Sequence, residues 1–258
     1  MSYSVDYVLF SIRGLVRSRH EDNVYAAGYT LPAGNSGMEQ IREGTVWSGE
    51  LPILSVFDGM GGETAGDVAS FIASDTMKRS LERNTGQCAD GNDEASCREY
   101  LEELCREMNE KVCEYAAENH IRTMGTTAAC LLFSDNRIYC ANIGDSRIYR
   151  NGEDGFSQVS TDHVAHTCFF RKAPLSQYIG IPEQEMLIQP DITGEEPLPY
   201  REYLICTDGI TDMLNDEEIA KIMRKNCSLR EKAEQLRSRV IEEGAIDNAT
   251  AVLCRVKT

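Results

Sequence analysis

The chain has 258 residues, and its 26 basic and 42 acidic side chains leave a formal net charge of −16 at neutral pH. This balance argues against nucleic acid as a partner, because nucleic-acid binding depends on basic surface that displaces counterions. No apolar run approaches the roughly eighteen residues of a membrane span, and the amino terminus lacks the basic start of a signal peptide. We therefore expect a cytoplasmic protein that binds neither membrane nor nucleic acid.

The first half of the chain combines strand patterns with two helices. An opening strand is predicted over residues 4–14, and a turn-rich stretch over 23–54 predicts a hairpin with an extended tip. A buried strand follows at 53–57. Apolar residues at helical spacing then predict a helix through residues 68–77 and a second, long helix over about 93–119.

The second half contains further strands and another pair of helices. The strand patterns lie at residues 126–133, 137–143, 146–150, 156–159, 202–206 and 249–253. Residues 161–191 are irregular. Helices are predicted at 216–224 and 229–243, with Asn215 and Ser228 as their amino-terminal caps. Because strands and helix pairs come in blocks, the sequence favours an α+β fold with mostly antiparallel sheets.

The ten cysteines indicate reduced thiols rather than a disulfide scaffold. Their density is low for such a scaffold, and no Cys-x-x-Cys pair occurs. Cys97, Cys105 and Cys113 recur every eight residues among apolar positions, which places them near one face of a helix. We expect these three side chains to fill a core, where cysteine acts as a small hydrophobe, instead of binding zinc.

Four short stretches place acidic residues beside glycine or asparagine, and three of them adjoin predicted strands. They lie at residues 19–23, 57–62, 206–209 and 246–250. Carboxylates from distant segments can converge where strand ends meet. Mg²⁺ and Mn²⁺ prefer such oxygen ligands in near-octahedral array, and a pair of these ions suits the hydrolysis of phosphate esters. The pattern therefore predicts a metal-dependent phosphatase.

These motifs and their order resemble those of the metal-dependent protein phosphatases of the 2C class, in their bacterial form. The matching residues are Arg17 with Asp22 five positions later, Asp58-Gly59-Met60-Gly61-Gly62, Gly125-Thr126-Thr127, Gly144-Asp145-Ser146-Arg147, Thr207-Asp208-Gly209-Ile210-Thr211-Asp212 and Asp247-Asn248-Ala249-Thr250. The match runs over nearly the whole chain. It implies one catalytic domain over residues 1–258 with a four-layer αββα sandwich, in which helix pairs flank two mostly antiparallel sheets.

The resemblance also implies a centre of Mn²⁺ or Mg²⁺ with two tight sites. Asp58 would bridge both ions, and the carbonyl of Gly59 would be a further ligand. Asp208 and Asp247 would complete the shell of the first ion. The second ion would be held by the adjacent carboxylates Glu21 and Asp22, either of which could bind directly or through water.

A weaker third site and a phosphate-binding residue are implied as well. Asp145 and Asp212, with Asp208 shared, match positions that bind a third metal in family members, although a strand-linking turn is the alternative for Asp145. Arg17 would bind the substrate phosphate, since its planar guanidinium can grip two oxygens. Arg19 is interpreted as an ordinary surface arginine.

The chemistry implied by the resemblance is direct hydrolysis of phosphoserine and phosphothreonine. A water or hydroxide that bridges two cations would attack phosphorus in line, with Asp58, Asp208 and Arg17 as the catalytic residues and without a phosphoenzyme. Animal members carry His after the Asp-Gly pair, whereas this chain has Met60. A thioether cannot donate a proton, so the general acid must be another group.

Phosphorylated proteins and an opposing serine/threonine kinase are the partners that this activity implies, and we expect a monomer. Two other classes remain open. A pseudophosphatase that only recruits partners would lack one of Asp58, Asp208 or Asp247, all of which are present. A phosphatase for a small metabolite, or one that acts on an anti-sigma-factor antagonist, would share the same metal core.

The stretch over residues 164–182 occupies the place of a flap beside the active site in family members. Phe169, Phe170, Arg171 and Lys172 suit a segment that receives the acidic or apolar residues flanking a phosphosite. We hypothesise that this loop selects peptides without taking part in chemistry. The alternative is that the two phenylalanines pack the loop onto the sheet.

Overall fold

A computed structural model describes residues 2–61, 65–83, 93–165 and 173–257 of the chain. Within these ranges the strands are β1 (Ser4–Ile12), β2 (Asp22–Ala26), β3 (Arg42–Trp47), β4 (Ile53–Met60), β5 (Gly125–Thr126), β6 (Ala128–Phe133), β7 (Ile138–Ile143), β8 (Arg147–Gly152), β9 (Gly155–Gln158), β10 (Asp191–Glu195), β11 (Glu202–Cys206) and β12 (Ala249–Lys257). The helices are α1 (Gly66–Arg83), α2 (Glu94–Glu118), α3 (Asp208–Thr211), α4 (Asp216–Met223) and α5 (Leu229–Glu242).

The strands form two antiparallel sheets. The first sheet has the order β3-β1-β12-β11-β8-β9, and the second has the order β10-β7-β6-β4-β2 with β5 paired to β4. The long strands β1 and β12 pair along their whole length, from Ser4 opposite Lys257 to Ile12 opposite Ala249. These two strands therefore set the register at the centre of the first sheet.

Three hydrophobic clusters give the molecule its layers. The first lies between the two sheets and includes Leu9, Leu54 and Val252. The second lies between the second sheet and helices α1 and α2, and the third lies between the first sheet and helices α4 and α5. Alternate residues of each strand face opposite sides, so both faces of both sheets are covered. The predicted α+β class with two antiparallel sheets and flanking helices is confirmed.

The locally determined elements agree with the sequence. Helices α4 and α5 begin at the predicted caps, and each forms a capping box: Asn215 with Glu218, and Ser228 with Glu231. Strands β6 and β7 form an antiparallel hairpin, as their short polar link predicts. Two of the three helical cysteines, Cys97 and Cys105, are buried in the second cluster, and Cys113 is half-buried.

One prediction about strands is wrong, and one strand is missed. The stretch over 23–54 is not a hairpin, because β2 pairs with β4 in the second sheet whereas β3 pairs with β1 in the first. The connection between β2 and β4 thus crosses from one sheet to the other and back. Strand β10 begins where the predicted irregular stretch of residues 161–191 ends, and no strand is predicted there; it pairs with β7 at the edge of the second sheet.

Helix α3 is a single turn that begins at Asp208, directly after β11. The sequence predicts the strand end at residue 206 but no helix at this point, so the helical turn is an addition to that prediction. None of the helices within the described ranges combines the length and apolar character that a membrane crossing requires.

Candidate metal centre

A cleft of about 910 Å³ lies where the loops after β1, β4 and β11 meet the loop before β12. Most of the residues predicted for the active site line it: Arg17, Glu21, Asp58, Gly59, Asp145, Asp208 and Asp247. Asp22 lies behind the cleft wall, and Asp212 lies one helical turn after Asp208 on the exposed side. The fold therefore brings together carboxylates that are far apart in the chain.

The pairing of β2 with β4 positions two of these carboxylates. Asp22 stands directly opposite Asp58 in the register, and residues opposite each other on antiparallel strands project from the same face. The backbone of Gly59 also donates a hydrogen bond to the carbonyl of Glu21 at 3.1 Å. Glu21, Asp58 and Gly59 thus form one corner of the cleft, and Asp22 lies directly behind it.

Asp22 has a buried carboxylate, and one of its two oxygens accepts no hydrogen bond. Its Oδ2 accepts a hydrogen bond from Thr207 Oγ1 at 2.8 Å, while its Oδ1 is buried without a partner. Burial raises the pKa of Asp22, although the hydroxyl groups of Thr250 and Thr207 nearby oppose the shift. A buried carboxylate is stabilised in its charged form by a nearby cation. The orphaned oxygen is therefore suited to a positive ligand.

Thr127 supports Asp58 from the neighbouring strands. Its Oγ1 accepts a hydrogen bond from the backbone N–H of Asp58 at 3.0 Å and lies 2.6 Å from Ser146 Oγ. This contact links Asp58 to the loop between β7 and β8 that carries Asp145. Thr127 was part of a recognised motif, but no sequence pattern indicated this role.

Asn248 fixes the loop that carries Arg17 and Glu21. Its Oδ1 accepts a hydrogen bond from the backbone N–H of Glu21 at 2.8 Å, and its Nδ2 donates to the carbonyls of Arg13 and Arg19 at 2.8 and 2.9 Å. One buried amide therefore satisfies three backbone groups of residues 13–21. This role was also missed, because the partners lie more than two hundred residues away in sequence.

Two glycines are required by close backbone contacts around the cleft. A Cβ atom on Gly59 would lie 2.1 Å from the carbonyl oxygen of Gly66, and one on Gly209 would lie 1.8 Å from the carbonyl oxygen of Asn248. Glycine allows such approaches because it has no Cβ. Both glycines follow a carboxylate of the cleft, so they let Asp58 and Asp208 lie against neighbouring loops.

Arg17 pairs with one of these carboxylates. Its Nη2 donates to Asp247 Oδ2 at 2.6 Å, and half of its side chain is exposed. The hydrogen bond to Asp247 is the main cause that raises the pKa of Arg17. Arg19, interpreted from the sequence as an ordinary surface arginine, also lines the cleft, and its Nη1 lies 3.8 Å from Asp67 Oδ1 at the start of α1. Arg17 therefore occupies the mouth of the acidic cleft.

The chemistry of this donor set fits hard divalent cations. Five carboxylates and a glycine carbonyl face one cleft, and oxygen ligands of this kind are those that Mg²⁺ and Mn²⁺ prefer. The unpartnered oxygen of Asp22 adds a further acceptor. Among the described residues, no three such side chains converge closely enough to hold an ion as they stand. Asp247, for example, is turned towards Arg17.

Comparison with known protein families identifies the family of this chain. A family model described as protein phosphatase 2C matches residues 44–243. The chain belongs to the protein phosphatase 2C family. The matched range contains Asp58, Asp145, Asp208 and Asp212 of this phosphatase, and the family predicted from the motifs is confirmed.

Individual relatives cover most of this phosphatase. It is 28% identical over 253 residues to the serine/threonine phosphatase stp of Listeria innocua, with 93% of this chain and 92% of the relative covered. It is 30% identical over 219 residues to protein phosphatase PhpP of Streptococcus pneumoniae, which covers 78% and 84% of the two chains. The catalytic domain of the serine/threonine phosphatase PstP, solved with two manganese ions, superimposes with a TM-score of 0.74 at 26% identity over both whole chains.

The arms of the expected flap lie beside the cleft of this 2C phosphatase. Backbone hydrogen bonds join Ala165 to Pro174 at 3.0 Å and Ser176 to His163 at 2.9 Å. Pro174 and Leu175 line the cleft together with Met60. Phe169, Phe170, Arg171 and Lys172 lie outside the described residues, so their proposed role in peptide selection stays a prediction.

Proposed function

We propose that this chain is a cytosolic protein-serine/threonine phosphatase that depends on Mn²⁺ or Mg²⁺. The observation that carries the proposal is the cleft that carboxylates from five segments of the chain line together with Arg17. Membership of the 2C family and the relatives named as serine/threonine phosphatases support it. Residues 1–258 would act as one catalytic domain and as a monomer, on phosphoproteins made by an opposing serine/threonine kinase.

The family resemblance names the residues that would hold the metals, and all of those for the two tight sites except Asp22 line the cleft. Asp58 would bridge the two tight sites together with the carbonyl of Gly59. Asp208 and Asp247 would complete the first site, and Glu21 from the cleft and Asp22 from behind it would serve the second. When bound, the ions would activate water for in-line attack on phosphorus and neutralise the charge that develops, without a phosphoenzyme.

The remaining steps fall to side chains of the protein. Arg17 would bind two phosphate oxygens through its guanidinium group, since it lies exposed at the mouth of the cleft. Thr127 and Asn248 would hold Asp58 and the Arg17 loop in place through the hydrogen bonds described above. Met60 lines the cleft but has no proton to donate, so the leaving alkoxide would take its proton from another group.

The described cysteines give no support to covalent catalysis. Cys206 is the nearest in sequence to a cleft carboxylate, and it is fully buried beneath Asp208 in β11. Burial raises the pKa of the Cys206 thiol to about 12. A cysteine nucleophile must be a thiolate at working pH, so this residue is suited to packing only.

The test of this function is phosphate release from matched phosphoserine, phosphothreonine and phosphotyrosine peptides. We expect release from the first two peptides after metal-free protein receives Mn²⁺, and little release after it receives Ca²⁺, which takes a larger and looser shell of ligands. Preference for the phosphotyrosine peptide, or equal activity with EDTA present, would refute the proposal.

Replacing Arg17 with Ala is expected to raise KM for p-nitrophenyl phosphate by about tenfold and to lower kcat less, because a bidentate contact in the bound substrate contributes mainly uniform binding. Steady-state kinetics at saturating Mn²⁺ measure both constants. Arg19→Ala removes the same charge from the same loop and is the matched control, with a smaller expected change. An Arg17 variant that loses kcat at unchanged KM would place the contact in the transition state only.

Asp145 and Asp212 are proposed to form the weaker third site with Asp208. Replacing Asp145 with Ala is expected to lower turnover by about tenfold or more while the two tight metals stay bound, because Asp145 enters the cleft from the loop between β7 and β8, apart from the corner that holds Asp58. Calorimetric titration with Mn²⁺ checks the tight sites. Their loss in this variant would instead assign Asp145 to the tight centre.

A further inference from the structure

Three large aliphatic side chains are exposed, and each lies within two residues in sequence of Arg17 or Asp247, which line the cleft. Leu15 and Val16 are 68% and 67% exposed, and Ile246 is 52% exposed. Single exposed apolar residues are normal on a protein surface, but a group of them marks a binding surface. We call these three residues the apolar ledge.

The ledge is built from two loops that are fastened side by side. The backbone N–H of Leu15 donates to the carbonyl of Ala245 at 2.8 Å, and Arg17 reaches Asp247 at 2.6 Å. Gly14 packs so closely on the second loop that a Cβ atom would lie 2.5 Å from the carbonyl oxygen of Ala245. Val16 and Ile246 therefore lie on a fixed edge rather than on separate, independent loops.

The ledge continues directly into the cleft. Val16 precedes Arg17 and Ile246 precedes Asp247, and both of these charged residues line the cleft. An extended peptide advances about 3.3 Å per residue. A peptide whose phosphate lies at Arg17 and whose chain runs towards Val16 and Ile246 therefore brings side chains within three residues of the phosphosite to the ledge.

Charge favours a phosphopeptide over a second copy of this chain as the occupant. The segment of residues 13–19 contains Arg13, Arg17 and Arg19 and no acidic residue, in a chain of net charge −16. A phosphorylated segment is attracted to such a basic loop, whereas two copies of an acidic protein repel each other. We propose that the apolar ledge is a specificity subsite that binds a large aliphatic side chain within about three residues of the phosphoserine or phosphothreonine. This inference rests on the proposed phosphatase function.

The test uses phosphothreonine peptides in which one Leu, against a Ser background, is moved through the three positions on each side of the phosphothreonine. At one or more positions we expect Leu to raise kcat/KM about tenfold, the discrimination that a small apolar contact supplies. Val16→Ser and Ile246→Ser should abolish that preference and leave turnover of p-nitrophenyl phosphate unchanged. Tyr200→Ser is the matched control: its aromatic side chain is exposed, and its backbone N–H donates to the carbonyl of Val256 at the opposite end of the first sheet.

Each possible result of these experiments either supports the proposed subsite or refutes it. If wild-type protein hydrolyses all the peptides equally, the proposed subsite is refuted and the proposed phosphatase function is not. Protein that hydrolyses neither the peptides nor p-nitrophenyl phosphate would overturn both. A Leu preference that survives in both ledge variants would place the subsite elsewhere. Light scattering that shows a dimer in wild type and a monomer in Val16→Ser, with unchanged peptide preference, would assign the ledge to self-association instead.

Discussion

Replacing Asp58 with Asn is expected to reduce phosphate release from a phosphothreonine peptide by at least about a thousandfold. The reason is that Asp58 is proposed to hold the metal ions that activate the attacking water. Asp58 stands opposite Asp22 and beside Gly59 at the corner of the cleft. A neutral amide at this position would bridge two cations poorly, since it has one acceptor oxygen and no charge. Phosphate release at saturating Mn²⁺ measures the effect.

The matched control is Asp75→Asn, which removes a carboxylate that pairs with Arg79 on the surface of α1. We expect this variant to keep wild-type activity. Circular dichroism and thermal unfolding of both variants separate loss of chemistry from loss of fold. Activity of Asp58→Asn within about tenfold of wild type would contradict the assignment of Asp58 to the metal centre.

Replacing Gly209 with Ala is expected to destabilise the protein by about 3 kcal/mol or more. The added methyl group would lie 1.8 Å from the carbonyl oxygen of Asn248 and 2.8 Å from its carbonyl carbon. Both are backbone atoms, which cannot rotate away as the end of a side chain can. The loop that carries Asp247 and Asn248 must therefore move away from α3, and activity should fall with stability.

Gly49→Ala is the control for this substitution. The nearest atom to a Cβ at Gly49 is Ser2 Oγ at 3.5 Å, which is an ordinary contact. Urea denaturation gives the free energy of unfolding for both variants, and we expect Gly49→Ala to change it by less than about 1 kcal/mol. Equal stability of Gly209→Ala and wild type would show that the two loops are not packed as described.

Elements set by nearby residues were predictable from the sequence. The caps of α4 and α5 depend on contacts within one helical turn. Asn215 and Ser228 could therefore be predicted as caps from the neighbouring sequence alone. The hairpin of β6 and β7 likewise depends on a short link. The family motifs named the carboxylates of the cleft, because these motifs combine residue type with spacing over the whole chain.

Features set by distant contacts were not predictable from local patterns. Strand β3 is mostly exposed, so its alternation is weak, and only its pairing with β1 places it in the first sheet. Strand β10 is a short edge strand with a glycine. The roles of Thr127, Thr207 and Asn248 likewise depend on hydrogen bonds to residues far away in the chain, which no spacing rule contains.

The most direct test of the metal centre measures binding and catalysis in the same samples. Metal-free protein is titrated with Mn²⁺, free Mn²⁺ is followed by electron paramagnetic resonance, and phosphate release from a phosphothreonine peptide is measured at each step. We expect two tightly bound Mn²⁺ ions per chain, with activity that rises as they bind and with neither effect in Asp58→Asn. Full activity before Mn²⁺ is added, or activity that rises without tight binding, would contradict the metal centre.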